Sequence, residues 1–254
     1  MARGIASVLI PRLQGRKSYQ VLADHLREQI LSGAIDAGTP LPNERDLGGS
    51  AGLSRGSVRE ALRVLEVEGL VSVKPGRNGG SVIRRPDSAG VSRSLGAYVR
   101  GQQIPFDAVL EARAALEPTL AALAAERRSA ADLAAIAAAA GDMVEARDDN
   151  ARFIAANTRW HWAVAQASHN LLLIAIVTAC GDLLHQSNVE RFVSSDVRSA
   201  VIRAHAGIAA AIHAGDAEAA RRRMARHVKT YREQVAPVAP VSIGIAMRTA
   251  VAED

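Results

Sequence analysis

Three histidines, an amide and an arginine fall where helical periodicity turns them away from solvent. Between residues 150 and 168, Phe153, Asn157, Trp160, His161 and Val164 share one helical face, with His161 one turn beyond Asn157. Between 196 and 214, Val197, Val201, His205, Ile208 and Ile212 do the same. From 216 to 235, Ala220, Met224, His227, Tyr231 and Val235 form a third such face. Imidazoles projecting from facing helices are a common way to build a metal site in a bundle. Any one of them alone reads better as a satisfied core histidine, and His25, His169, His185 and His213 are left at that reading. On a fourth helix Val109, Arg113, Leu116 and Leu120 share a face, so a guanidinium projects among apolar side chains. Burying it unpaired is costly. Either Glu117, one turn on, neutralises it, or a carboxylate from outside the chain does.

The elements that must position these groups are helical throughout. Beyond residue 90 alanine is abundant, strand-type alternation is absent, and glycines fall where helices should end. The pattern predicts helices over 91–101, 106–128, 129–147, 150–168, 171–193, 196–214 and 216–235, an all-α bundle of six or seven helices. Aromatic residues make up only 3% of the chain, so its core must be Ala, Leu, Val and Ile at close helix approach. Gly215 followed by Asp216 reads as a C-cap glycine and an N-cap aspartate joining antiparallel neighbours. After Pro237 and Pro240, residues 236–254 read as a disordered tail.

The first third has a different chemistry. Residues 1–86 hold 13 Lys/Arg against 8 Asp/Glu, while residues 87–254 hold 18 of each. The formal excess of +5 therefore sits on the first third, as expected if that part meets a polyanion. Residues 18–32 predict a helix with Tyr19, Leu22, Leu26 and Ile30 inward. Asn43 with Asp46 three positions on is a variant capping box opening a short helix over 44–50, which Gly48, Gly49 and Gly52 weaken and end. Ser54 caps the next helix, whose Val58, Ala61, Leu62 and Leu65 face a core while Arg55, Ser57 and Arg59 occupy its outer first turns. That is the geometry of a recognition helix entering a major groove. Residues 70–73 and 81–83 read as strands around a basic, glycine-rich turn, a wing able to reach a minor groove. Residues 84–90, RRPDSAG, read as the linker.

At these residues the chain resembles a known family. LPNERDL, SRGSVREAL and EGLVSVKPGRNGG, within residues 19–84, are similar to the winged helix-turn-helix domain of the GntR family of bacterial transcription regulators. The resemblance implies that Arg45, Ser54, Arg55, Ser57 and Arg59 contact DNA and that Gly76 approaches it through its backbone. Gly56 departs from the pattern, standing where many members carry a side-chain donor. RAALEPTLAALAAERR, NTRWHWAVAQASHN and HAGIAAAIHAGDAEAARRRMARHV resemble the helical FCD domain of the FadR-like branch, over about residues 91–234. That resemblance implies a divalent metal, zinc with nickel or manganese as alternatives, held by Asn157, His161, His205 and His227. It also implies that Arg113 helps bind an organic-acid effector. Asn157 stands where Asp is commoner, so no ligand would carry charge and an anion completing the shell becomes more favourable.

The expected protein is mainly α: an N-terminal arm (1–13), a winged helix-turn-helix domain (14–86) and a helical effector-binding and dimerisation domain (91–235). Its expected role is a homodimeric, cytoplasmic, sequence-specific regulator, most simply a repressor, binding a palindromic double-stranded operator and a small carboxylate. A sensor of the metal itself is one alternative. A metal-dependent hydrolase is another, disfavoured because no helical Glu or Asp is expected beside His161 to act as base, position 157 being an amide. A single cysteine, Cys180, excludes an intrachain disulfide, and its apolar neighbours suggest a buried thiol. The apolar run at 171–180 is about half the length that would span a membrane, and no cleavage site precedes Arg16 and Lys17.

Overall fold

The structure, a computed structural model, describes residues 17–74, 80–186 and 194–235. The N-terminal arm, the wing turn with Gly76, the end of the expected 171–193 helix and the C-terminal tail lie outside the described residues. The chain divides into two compact units, Met1–Asp87 and Ser88–Asp254.

In the first unit, α1 (Ser18–Leu31), α2 (Glu44–Ala51) and α3 (Arg55–Val67) precede β1 (Val71–Lys74) and β2 (Gly80–Ile83). Leu22, Ala23, Leu26 and Ile30 of α1 pack on Val58, Ala61, Leu62 and Leu65 of α3, closed by Leu70, Val71 and Ile83. Asn43 accepts from the backbone N–H groups of Arg45 and Asp46. Its own amide donates to Asp46 Oδ2 at 2.7 Å, so the acid closes the box on the cap's side chain. β1 and β2 pair antiparallel, Val71 opposite Ile83 and Lys74 opposite Gly80. The turn region before α2 adds a third edge: Leu41 N–H donates to Ser81 O at 2.8 Å and Ile83 N–H to Thr39 O at 2.9 Å. Arg27 of α1 grips Glu68, just past α3, through two hydrogen bonds of 2.8 Å.

Among the described residues the second unit has seven helices: α4 (Ser88–Gly101), α5 (Phe106–Arg127), α6 (Ala130–Glu145), α7 (Asn150–Gln166), α8 (Leu171–Gln186), α9 (Ser195–Ala214) and α10 (Ala217–Val235). Among the described residues one boundary differs from expectation by more than two positions. The linker reading of 84–90 runs too far, because Gly90 lies inside the first turn of α4. Packing of α4 on α8 overrides the roughly 1 kcal/mol that an interior glycine costs. Helix α5 is the hub, touching α7, α8, α9 and α10. Its Ala121, Ala124 and Ala125 meet Ala156, Ala163, Ala211 and Ala220, all buried, so small side chains let the helices approach closely. Pro118 sits inside α5 and removes an N–H from its ladder. Gly215 takes φ +76°, and an added Cβ there would lie 2.9 Å from Arg128 Nη2. Asp216 then caps α10, accepting from Ala219 N–H at 2.8 Å. Cys180 is buried, and burial pushes its thiol up. Among the described residues no helix is long and apolar enough to cross a membrane.

The turn between α2 and α3 is closely packed at one of its glycines. A Cβ on Gly48 would stand 2.8 Å from the carbonyl oxygen of Leu53, whereas one on Gly49 would meet nothing within 4 Å. Gly48→Ala should therefore cost about 1–3 kcal/mol in urea unfolding, and Gly49→Ala should be neutral or stabilising. Equal midpoints for the two variants would show that this turn has slack.

Candidate metal centre and nucleic-acid interface

The three inward imidazoles meet. His161 of α7, His205 of α9 and His227 of α10 offer ring nitrogens that all lie within 4.8 Å of one another. Nε2 of His205 is 3.0 Å from Nε2 of His227, which is 3.4 Å from Nε2 of His161. Imidazoles bound tetrahedrally at zinc distances have nitrogens about 3.3 Å apart. Two of the three separations match that spacing.

The outer nitrogens decide which way the lone pairs face. His205 Nδ1 lies 3.3 Å from Met143 Sδ, and a thioether only accepts, so Nδ1 carries the proton and Nε2 the lone pair. His161 Nδ1 stands 2.8 Å from Glu117 Oε2. Although close enough for an ion pair, the two atoms are not aligned for a full hydrogen bond. The carboxylate again favours a proton on Nδ1 and a lone pair on Nε2. His227 Nε2 therefore faces two acceptors and has at most one proton for both. A cation at the centre would satisfy all three nitrogens, so the donor set fits a divalent metal. Trp160 stacks on His205 with ring centroids 3.6 Å apart and fixes its plane.

Protonation of His205 or His227 is a poor substitute for that cation. Burial, reinforced by His227 and His161, holds His205 well below the usual histidine range. Burial with His161 pushes His227 down to about 3. For Glu117, burial favours the neutral acid, but Arg113 and His161 outweigh it and hold the carboxyl well below its usual range.

Arg113 and Glu117 are both buried, and Arg113 Nε donates to Glu117 Oε1. Of the two partners open to Arg113, the structure contains the one on its own helix. Arg113, Asn157, His161 and His227 line one small cavity, and Arg113, Glu117, Asn157, His161 and Trp162 line a larger one of about 200 Å³ toward α8. His205 lies behind them, 1% exposed. Glu117's contact with His161 was invisible to helix periodicity because it comes from another helix. An acid does stand beside His161, correcting the expectation of none, but it faces Nδ1, on the far side of the ring from the converging nitrogens.

The residues expected to meet DNA lie on the first unit. Ser54 Oγ accepts from Ser57 N–H at 3.2 Å, opening α3. Arg55 is exposed, and the Arg45 side chain is 77% exposed. Arg59 is held by Glu44 of α2 through bonds of 3.0 and 2.6 Å, which aim its guanidinium before any partner arrives. At Gly56 a side chain would meet only Ser54 Oγ, at 3.8 Å, so the space for a donor exists.

Acid should loosen the metal-free protein. Unfolded histidines take up protons below about pH 6.5, while folded His227 resists until about 3 and His205 is shifted the same way. Stability is thus complete above about 6.5 and falls as pH drops through that window, by up to about 1.4 kcal/mol per unit for each histidine. Unfolding midpoints followed from pH 7 to 4 should show this slope, and His227→Gln should remove about half of it. A flat profile would contradict the buried, neutral assignment.

Comparison with known proteins identifies the chain. Residues 18–79 match the family described as bacterial regulatory proteins, gntR family, and residues 108–230 match the FCD domain. The chain is 34% identical over 231 residues to the putative L-lactate dehydrogenase operon regulatory protein of Escherichia coli K12, covering 87% of this chain and 86% of that one. It is 32% identical to the galactonate operon transcriptional repressor of the same organism, over 62% of this chain and 70% of the relative. The solved structure of Streptococcus agalactiae GntR shares the fold, with a TM-score of 0.70 at 24% identity over 85% of this chain and 99% of that one. The chain therefore belongs to the GntR family, as a DNA-binding transcription regulator whose winged helix is followed by an FCD effector domain.

Proposed function

We propose that this regulator is a cytoplasmic homodimeric repressor released from its operator by a small hydroxy acid. Two copies of α3 read half-sites of a palindrome, Arg55 and Arg59 donating to guanine edges or phosphates. Arg45, Ser54 and Ser57 anchor the backbone, and Gly76 brings the wing close. The three imidazoles and Asn157 hold a divalent ion, zinc first by donor type. When bound, that ion supplies a Lewis-acid anchor for a carboxylate. Arg113 holds the acid's other oxygen and Trp162 flanks its carbon chain. The observation that carries this reading is the shared wall: Arg113, Asn157 and His161 line one cavity of about 200 Å³. The relatives named for lactate and galactonate operons favour a hydroxy acid as the small carboxylate.

A second reading, in which the metal is itself the effector, draws on the same imidazole cluster. Operator affinity that changes with zinc alone would favour it. Hydrolysis is not part of the proposal, because Glu117 is paired with Arg113 and faces away from the converging nitrogens.

Arg55→Ala should weaken operator binding by about 1–3 kcal/mol per half-site in a gel-shift titration while the dimer stays intact. Unchanged affinity would refute the assignment of α3. Arg113→Ala should still bind the operator but no longer release it when hydroxy acids are added, and a variant that still responds counts against the clamp.

A further inference from the structure

The geometry points to Glu117 as the element that couples metal binding to acid binding, a carboxylate shared between Arg113 and His161 and redistributed when an acid arrives. This rests on the reading above, in which an acid binds at Arg113.

Glu117 is 4% exposed, with one oxygen on Arg113 and the other 2.8 Å from His161 Nδ1. The second approach is short yet off the line of a hydrogen bond, whereas the first is a direct bond from Arg113 Nε. The carboxylate is thus posed for Arg113 at the expense of His161. Asn157 carries no charge, and the other acid lining the cavity, Asp182, is exposed, so Glu117 is the buried negative charge beside the imidazoles.

A carboxylate bound to Arg113 competes with Glu117 for the guanidinium. As Arg113 turns to the newcomer, Glu117 swings toward His161 and accepts its Nδ1–H in line. An imidazole whose outer nitrogen donates to a carboxylate is a stronger metal ligand. The acid therefore tightens the metal, and by linkage the metal tightens the acid by the same factor. Glu117 acts through His161 and Arg113 and is a positioning residue.

The test is zinc affinity of the full-length protein, measured by competition with a chromophoric chelator at constant ionic strength, with and without formate as the smallest carboxylate. In the wild-type protein formate should raise zinc affinity by on the order of ten-fold. Glu117→Gln should weaken zinc by about 10–100-fold and shrink the formate effect to what the acid's own contact with the metal supplies. Glu117→Asp keeps a charge for Arg113 but is one methylene too short to span both partners. It should shrink the formate effect in the same way, which keeps the test open if the glutamine variant does not fold. A formate effect of equal size in the wild type and either variant overturns the coupling while leaving acid binding intact, since the acid would then be acting on the metal directly. No formate effect in the wild type overturns it as well, and if Glu117→Gln still weakens zinc, the fault lies in the acid site rather than in the contact with His161.

Discussion

A guanidinium enclosed by packed helices must be met by a negative charge, and in this chain that requirement organises the whole second unit. Arg113 and Glu117 lie one turn apart on α5, the helix that touches four others. Their ion pair is buried where desolvation is severe, and breaking such a pair from one side costs far more than making it yields. The alanines around it let α7, α9 and α10 close in until three imidazoles share one centre. Larger residues at Ala156 or Ala211 would hold the helices apart and separate the nitrogens. Helix spacing and polar chemistry are thus one constraint: small side chains create the proximity, and the charge pair makes the resulting interior polar.

The DNA-reading unit is built on the opposite principle. Its charges lie on the surface, where solvent screens ion pairs such as Arg59 with Glu44 and leaves them little weight in stability. Stability comes from the apolar contact of α1 with α3 and from the caps at Asn43 and Ser54. The arginines are therefore aimed without being locked, and a polyanion can recruit them at little cost to the fold. Among the described residues, the second unit keeps one ion pair behind packing and the first unit keeps none.

Much of this was legible from residue order because each helix declares its own inward face. Phe153, Trp160 and Val164 on α7, and His205, Ile208 and Ile212 on α9, are buried as their spacing implies. Caps were equally readable: Ser54, Asp216 and Gly215 do what their side chains, or lack of one, allow. What periodicity cannot say is which neighbour a face will meet. The approach of Glu117 to His161, the sulfur of Met143 against His205 and the stacking of Trp160 are all contacts between helices far apart in the chain. Local propensity misplaced the start of α4 for a related reason, since packing on α8 outweighed the serine and glycine at its beginning. The edge pairing of Thr39 and Leu41 with β2 was hidden because prolines and glycines there signal a turn.

The chain has two tryptophans, and both stand at the proposed sensory site: Trp160 lies flat against His205, while Trp162 is half exposed on the cavity wall. Indole emission responds to polarity and to electron-poor neighbours, so a cation drawn to the imidazoles and a solute in the cavity would each perturb a different chromophore. The protein carries an intrinsic two-channel fluorescence gauge, with no label needed to follow what enters its interior.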